Sequence, residues 1–281
     1  MTGSATTVGI ATGAGRGMGL ECARLLPGLV GHVILVDKDE PSVVKAAEDL
    51  TAAGASAEPF AADVTDPGAL GRLAARVGEL GTLRAVAHAA GISPSMAGWR
   101  RVIEVDLVGT ALLARALRPL VTHGTATVNF SSMAAVLRPD GPDDAALDRL
   151  MADPLQDGFL DKVREAAGPS IEDTGAAYSL AKRGVKVFTQ REAARLGPQG
   201  GRVVSLSPGL IDTPQGRQEA EVHPSIGRML GQTPLARMGL SEEIARVVRF
   251  ALSDDASFLN GIDLLVDGGL IGALAGLKGG W

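Results

Sequence analysis

Short apolar runs alternate along the chain with longer runs in which apolar residues recur at helical spacing. Short apolar runs bounded by turn residues are typical of buried strands, and the longer periodic runs are typical of amphipathic helices. The pattern predicts strands at residues 7–11, 32–36, 58–62, 83–90, 125–131, 203–207 and 262–266. It predicts helices at residues 17–26, 42–53, 67–80, 99–120, 176–196 and 242–252.

The strict alternation of strand and helix predicts a parallel sheet that helices cover on both faces. Crossovers of this kind are right-handed, so the expected product is a doubly wound α/β fold. The length of 281 residues fits one large domain, residues 1–281, better than two. Ligands on such sheets bind at the carboxyl ends of the strands, so the residues that follow each strand are candidate site residues.

Residues 133–173 interrupt this alternation between a strand and the helix expected to follow it. The segment holds ten acidic and four basic residues, a net charge of −6, while the rest of the chain is nearly neutral. Apolar residues recur in it at helical spacing: Leu155, Phe159, Leu160 and Val163. Pro154 is a favourable first helical residue. We expect an acidic insertion with one or two short helices, whose Phe159 and Leu160 pack near the helix at 99–120.

Charge and composition narrow the possible functions. The formal net charge of −5 argues against a general nucleic-acid binder. No apolar stretch reaches the roughly 18 residues of a membrane span, and residues 1–7 carry no basic segment before an apolar core. Cys22 is the only cysteine and forms no internal disulfide, which suits a reducing compartment. We expect a cytoplasmic protein without a membrane or nucleic-acid partner.

A glycine-rich turn, residues 12–19 (TGAGRGMG), joins the first strand to the first helix. Glycines there let the backbone approach a pyrophosphate, and the helix N-terminus offers free N–H groups to it. The strict G-x-G-x-x-G spacing is not met, because Met18 stands at the third glycine position. The turn fits a dinucleotide site, a methyltransferase cofactor loop or a plain tight turn.

Acidic residues follow the second and third strands. Asp37 comes 24 positions after Gly13, where a carboxylate accepts hydrogen bonds from an adenosine ribose and repels a 2′-phosphate. This placement favours NAD over NADP, although Arg16 and Lys38 are cations close by in sequence. Asp63 is placed to contact adenine or to cap the next helix, for which Asp66 is the better candidate.

Tyr178 and Lys182 stand four positions apart on one face of a predicted helix. A phenol is a poor acid–base catalyst at neutral pH, but a neighbouring ammonium favours its phenolate form. Ser131 and Ser132 close the preceding strand, and either hydroxyl could bind a substrate oxygen. Combined with the glycine turn and Asp37, the pair indicates acid–base chemistry beside a nucleotide.

These motifs together resemble the short-chain dehydrogenase/reductase family from residue 12 to residue 269. The glycine turn resembles its cofactor turn, Tyr178 and Lys182 its Y-x-x-x-K motif, residues 208–213 (PGLIDT) its P-G-x-x-x-T loop, and residues 266–269 the end of its last strand. The resemblance implies a Rossmann-type fold and hydride transfer between NAD(H) and a secondary alcohol or ketone. It implies Tyr178 as acid/base, Lys182 as its partner and ribose ligand, and Ser132 rather than Ser131 at the substrate oxygen.

The resemblance also implies the residues that contact the cofactor, with no metal site. They are Gly13, Arg16, Gly17, Met18, Gly19, Asp37, Asp63, Val64, Ala89, Tyr178, Lys182, Ile211 and Thr213.

Three departures from the family pattern stand out. His88 begins a turn, residues 88–91 (HAAG), that usually reads N-N-A-G, and we expect it to be a core or turn residue. Asp106 replaces an asparagine of the proton relay, which makes it a fourth candidate catalytic residue that sharpens or slows the relay. Tyr178 follows Ser132 by 46 positions, more than is usual, because of the acidic insertion.

A substrate pocket is expected between the strand ends and residues 211–239. Its candidate walls are Pro214, His223, Met229, Leu230, Leu235 and Met238. Such side chains favour a hydrophobic alcohol or ketone, steroid-like or another carbonyl compound. The glycine-rich tail 268–281 covers the pocket or joins a subunit contact, with Trp281 as a packing anchor.

We expect a homodimer or homotetramer. In some carbonyl reductases that resemble this family, a helical insertion just before the tyrosine obstructs the usual tetramer surface. The insertion here limits assembly in that way, walls the substrate pocket, or is a surface excursion with neither role. The alternative functions are a methyltransferase, which leaves Tyr178 and Lys182 unexplained, and a non-catalytic dinucleotide-binding sensor or scaffold, which Asp106 and His88 motivate.

Overall fold

A seven-stranded parallel sheet forms the centre of the computed structural model, which describes residues 6–138, 144–214, 216–217 and 224–279. The strands in chain order are β1 Thr7–Thr12, β2 His32–Asp37, β3 Ala57–Ala61, β4 Thr82–His88, β5 Ala126–Phe130, β6 Arg202–Pro208, β7 Ile211–Asp212, β8 Gly239–Leu240 and β9 Asp263–Val266. The sheet order is β3-β2-β1-β4-β5-β6-β9, while β7 and β8 pair separately. The order reverses between β1 and β4, so their carboxyl ends open a crevice.

Helices cover both faces of the sheet, as the sequence predicts. They are α1 Gly17–Leu25, α2 Glu40–Ala52, α3 Pro67–Leu80, α4 Trp99–Ile103, α5 Gly109–Leu117, α6 Ala134–Leu137, α7 Asp144–Met151, α8 Phe159–Ala167, α9 Thr174–Leu196, α10 Pro224–Gln232, α11 Ser241–Leu252 and α12 Leu270–Gly279. One buried apolar cluster lies beneath α1, α2 and α11, and a second lies beneath α3 and α5. Within the described ranges, every helix is too short or too polar to cross a bilayer.

The predicted helix at 99–120 is interrupted. Between α4 and α5 the chain forms a π-helical turn, Glu104–Val108, and it ends in a 3₁₀ turn, Arg118–Leu120. A π turn holds one residue more than an α turn and is often found at functional sites. Here it carries Asp106, which is 1% exposed.

The acidic insertion forms α7 and α8, but its second helix does not begin at Pro154 as predicted. Gln156 donates to the carbonyl oxygens of Leu150 and Asp153, so residues 154–158 close the end of α7 instead. Gly158 then adopts φ +68°, in the left-handed region and outside the right-handed α-helical region, and α8 begins at Phe159.

The inner faces of α7 and α8 are buried against the rest of the molecule. Phe159 belongs to one apolar cluster with Ile103 and Leu107, and Leu160 packs against that cluster, which confirms the predicted contact with the long helix. An ion pair of 2.6 Å joins Arg100 to Asp161 at its rim. The insertion therefore covers the outward apolar face shared by α4, α5 and α9.

Candidate active site

The glycine turn is held by close backbone packing. Gly13 has φ +64°, and a Cβ there would lie 3.0 Å from the backbone of Ala90. Gly19 begins the first full turn of α1, where a Cβ would lie 2.2 Å from the carbonyl oxygen of Gly13. Gly17 also has positive φ but faces open space, with Thr213 as its nearest neighbour at 3.8 Å. The turn therefore brings bare backbone and the N-terminus of α1 to the crevice.

A cavity of about 310 Å³ opens at this turn, and we call it the glycine-turn cavity. Ten of the thirteen predicted cofactor residues line it: Gly13, Arg16, Gly17, Met18, Gly19, Asp37, Asp63, Val64, Ala89 and Thr213. Tyr178 and Ile211 line a neighbouring cavity, and Lys182 is buried.

Asp37 sits at the end of β2 and is oriented by two backbone groups. Its Oδ2 accepts a hydrogen bond of 3.0 Å from the Gly15 N–H, and its Oδ1 accepts one of 3.1 Å from the Asp39 N–H. Each carboxylate oxygen keeps a second acceptor site for a hydroxyl. Arg16 is exposed and lies 3.6 Å from the Asp39 carboxylate, so the nearest arginine already has an anionic partner.

Asp63 lines the glycine-turn cavity, while Asp66 caps α3 as predicted. The Asp63 Oδ1 accepts from the N–H and hydroxyl of Thr65, and Oδ2 accepts from Arg101 at 2.6 Å. Burial raises the pKa of Asp63, but the Thr65 hydrogen bonds and the Arg101 charge outweigh it and hold the pKa below its usual range. Asp63 is therefore a fixed anion with spare acceptor capacity.

His88 is a core residue, as predicted, and is 2% exposed. The Thr110 hydroxyl donates to the carbonyl oxygen of Asp106, so it accepts from His88 Nε2–H at 3.0 Å. The Nδ1 atom of His88 then accepts from the Thr12 hydroxyl at 2.7 Å, and Thr12 accepts from the Ala90 N–H. This chain of bonds requires a neutral imidazole with its proton on Nε2 and ties the turn after β4 to the end of β1.

Tyr178 and Ser132 both line a second cavity of about 470 Å³, which we call the tyrosine cavity. Met18 and Thr213 belong to the walls of both cavities, so the two adjoin. Ser131 also borders the tyrosine cavity, but its hydroxyl donates to the Lys182 carbonyl oxygen at 2.8 Å. The Ser132 Oγ accepts from the Ala134 N–H and keeps its own proton for another partner. Geometry therefore favours Ser132, as the family resemblance does.

Lys182 and Asp106 form a buried pair, with 3.7 Å between Nζ and Oδ2. The ammonium donates to the Phe130 carbonyl oxygen at 3.1 Å and lies 5.6 Å from the centre of the Tyr178 ring. Asp106 Oδ1 accepts from the Ile92 N–H, and burial raises the Asp106 pKa against the opposing charge of Lys182.

Gly91 leaves room for this buried pair. A Cβ at that position would lie 2.9 Å from Asp106 Oδ1 and 3.2 Å from Lys182 Nζ. The three expected catalytic side chains and Asp106 thus come together from the segment after β5, from α9 and from the π turn.

Several site residues had no sequence signal. Met96 and Arg101 line the glycine-turn cavity, and Pro94, Met133 and Ile226 line the tyrosine cavity. Position after a strand could have indicated Met133, but the others reach the site from loops and helices.

The predicted walls from 211–239 are only partly at the tyrosine cavity. Met229 and Met238 line it, whereas Pro214 borders the glycine-turn cavity. Leu230 and Leu235 are not among the walls of the tyrosine cavity, and Leu235 is 64% exposed to solvent. His223 and Trp281 lie outside the described residues.

A family model described as enoyl-(acyl carrier protein) reductase matches residues 13–143 and 165–271. It thus covers the glycine turn, the catalytic candidates and the last strand. The unmatched interval, 144–164, contains α7 and the first part of α8.

Curated relatives and solved structures agree with this match. The chain is 33% identical to cis-4-hydroxycyclohexanecarboxylate dehydrogenase of Sinomonas cyclohexanicum, covering 94% of this chain and 96% of the relative. It is 30% identical to the trans-4-hydroxycyclohexanecarboxylate dehydrogenase of that organism, covering 94% and 93%. A 3-oxoacyl-[acyl-carrier protein] reductase from Brucella melitensis, solved with bound NAD, aligns with a TM-score of 0.71 at 28% identity over 96% of this chain and 92% of that one. The chain therefore belongs to the short-chain dehydrogenase/reductase family and is an oxidoreductase that acts on CH–OH groups.

Proposed function

We propose that this protein interconverts an apolar secondary alcohol and its ketone with NAD(H) as the hydride carrier. The observation that carries the proposal is the meeting of Ser132 and Tyr178 at the tyrosine cavity, directly beside the glycine-turn cavity. Lys182 lies buried close to the Tyr178 ring.

The glycine-turn cavity fits a dinucleotide. The close packing of Gly13 on Ala90 and the open space at Gly17 leave room for a pyrophosphate at the N-terminus of α1. Asp37 would hold the adenosine ribose, Asp63 the adenine, and residues 208–213 the nicotinamide end. A bound nicotinamide would accept or donate the hydride.

The chain's own groups handle the proton and the substrate oxygen. In the direction of ketone formation, Ser132 donates a hydrogen bond to the substrate oxygen and the Tyr178 phenolate takes the hydroxyl proton as the C–H hydride leaves. In the reverse direction, Tyr178 returns the proton to the developing alkoxide. The positive charge of Lys182 favours the phenolate, and Asp106 holds Lys182 in place from the π turn.

Two serine variants and a tyrosine variant test this mechanism. We expect Tyr178→Phe and Ser132→Ala each to lower kcat at least about 100-fold while the Kd for NADH changes little. Ser131→Ala is the matched control and should retain most of the activity, since its hydroxyl bonds the Lys182 carbonyl oxygen. Unchanged turnover in Tyr178→Phe would exclude the assignment. NADH binding without turnover of any alcohol or carbonyl compound would favour the sensor function.

The preference for NAD rests on Asp37. A 2′-phosphate would meet the carboxylate that Gly15 and Asp39 orient, and Arg16 is paired with Asp39. We expect kcat/KM to be at least about 10-fold higher with NAD than with NADP, a difference of ~1.4 kcal/mol. Asp37→Ser should abolish or reverse this preference for NAD, and an unchanged ratio of kcat/KM in this variant would contradict the role of Asp37.

We further propose that the protein is cytoplasmic and forms a homodimer. Its one domain would contain residues 133–173 as the helical insertion and residues 211–239 as the substrate-loop region. Burial raises the pKa of the lone Cys22 thiol to about 12, so Cys22 is an inert packing residue. The insertion covers the apolar face shared by α4 and α9, whereas β9 is an edge strand with Leu265 exposed, and Phe258 is exposed in the segment between α11 and β9. Light scattering should give a dimer mass, and Phe258→Asp should shift it to a monomer.

A further inference from the structure

The described walls of the tyrosine cavity are uncharged. Among the described residues that border it, none is Asp, Glu, Lys, Arg or His. Four of the seven methionines of the chain are there, namely Met18, Met133, Met229 and Met238. Unbranched thioether side chains adapt to irregular apolar shapes, so these walls suit a hydrocarbon ring more than a polar substituent.

The hydroxyl groups of the cavity are largely committed. Ser131 donates to the Lys182 carbonyl oxygen, and Ser179 donates to the Gly175 carbonyl oxygen at 2.9 Å. Thr213 accepts from the Gly216 N–H at 2.8 Å, and in the proposed function its own proton faces the nicotinamide end of the cofactor. Ser132 and Tyr178 both serve the reacting oxygen in the proposed mechanism. A second polar group on the substrate would therefore find few partners.

The cations next to the cavity walls in sequence are paired or solvated. Arg217 follows Gly216 and pairs with Asp212 at 2.7 Å, and Arg237 precedes Met238 and pairs with Glu243 at 2.7 Å. Arg228 is exposed to solvent. Between Arg217 and Pro224 the sequence contains two glutamates, no lysine or arginine, and His223. The substrate-loop region thus offers no uncommitted buried cation to a substrate anion among the residues that the structure describes.

We propose that the tyrosine cavity selects uncharged alicyclic secondary alcohols and ketones and excludes analogues that carry a carboxylate on the ring, a selectivity that rests on the proposed function. A carboxylate inside this cavity would lose its water without gaining a counter-ion or sufficient hydrogen bonds. The two relatives named for hydroxycyclohexanecarboxylates share about a third of their residues with this chain. We infer that this chain binds a similar ring but lacks a partner for the ring carboxylate.

Three substrates that differ in one group test the selectivity. Initial rates with NAD at pH 8 would be compared for cyclohexanol, trans-4-hydroxycyclohexanecarboxylate and the methyl ester of that acid. The ester has nearly the shape of the acid without its charge. We expect kcat/KM for the ester to exceed that for the acid at least about 100-fold, because only the acid must be desolvated as an ion.

A charge introduced into the wall provides the second arm. Met238→Arg should raise kcat/KM for the acid relative to the ester at least about 10-fold, as expected for one compensating ion pair in a partly buried site. Met238→Leu, which changes the shape but not the charge, should leave that ratio at its wild-type value. An altered ratio in Met238→Leu equal to that in Met238→Arg would overturn the role of charge.

The outcomes separate this inference from the proposed function. Equal kcat/KM for acid and ester in the wild-type enzyme would overturn the selectivity and leave the alcohol dehydrogenase function intact. If no secondary alcohol, charged or uncharged, reduced NAD, the proposed function itself would fail. High activity on the ester and cyclohexanol with little on the acid supports both.

Discussion

Protonation of His88 opposes folding, and this gives the protein a predictable sensitivity to acid. Burial, with the charge of Lys182 adding to it, lowers the pKa of His88 from 6.5 to about 3. The unfolded chain therefore takes up a proton near pH 6.5 while the folded chain does not. Above that pH the free energy of unfolding carries no penalty from His88. It falls as the pH drops from 6.5 toward 3, by about 1.4 kcal/mol per pH unit.

Between pH 7.5 and pH 5.5, His88 should cost the folded state about 1.4 kcal/mol, a noticeable part of the ~5–15 kcal/mol that stabilises a typical domain. The carboxylates of Asp63 and Glu58, whose pKa values lie below their usual range, give up their stabilisation at lower pH. The interval from 7.5 to 5.5 lies above the range of these two carboxylates, and comparison with a His88 variant subtracts any contribution of Asp106, whose pKa burial raises.

Urea unfolding of the cofactor-free protein at the two pH values measures this cost. His88→Asn keeps hydrogen-bonding groups beside Thr12 and Thr110 but does not titrate, so we expect its stability to change little between the two conditions. His123→Asn, at an exposed position, should lose as much as the wild type. An equally steep loss in His88→Asn would refute the argument, because the proton would then bind elsewhere.

Two further substitutions, each with a control variant, follow from packing and hydrogen bonding. Gly19→Ala should weaken NADH binding at least about 10-fold, measured by fluorescence titration, because its Cβ would lie 2.2 Å from the Gly13 carbonyl oxygen and displace α1. Gly71→Ala, in open space on α3, should instead stabilise the protein by up to ~1 kcal/mol with unchanged binding. Arg202→Leu should lower the free energy of unfolding by about 2–3 kcal/mol without changing KM, since Arg202 donates to three carbonyl oxygens at and beyond the end of α11. Arg24→Leu, which breaks only a surface ion pair, should cost less than ~1 kcal/mol, and similar losses in both variants would contradict this account.

The sheet and its main helices could be predicted because buried parallel strands are continuous apolar runs and their crossover helices are strongly periodic. The helices α10 and α12 were not predicted. Gly227 and Gly231 interrupt the first of these segments, and Gly272 and Gly276 the second. Glycine lowers helix propensity, and tertiary contacts between these two helices override it here.

The site could be predicted where a local backbone requirement leaves a sequence signature. The glycine turn and the spacing of Tyr178 and Lys182 are of that kind. The choice between Ser131 and Ser132 depends on which hydroxyl bonds the Lys182 carbonyl oxygen, 51 positions away. Arg101 reaches the glycine-turn cavity from α4 and bonds Asp63, 38 positions away. Such contacts between distant segments have no local pattern.

The π turn at Glu104–Val108 makes the spacing of the long helix sensitive to chain length. Removing one residue there would let the chain continue as ordinary α-helix, at the cost of turning everything on its N-terminal side by about 100°. Arg101 would turn away from Asp63, and that part of the glycine-turn cavity would lose its ion pair, while α5 after the π turn kept its orientation. The additional residue thus acts as a spacer that sets the rotation of α4 relative to α5.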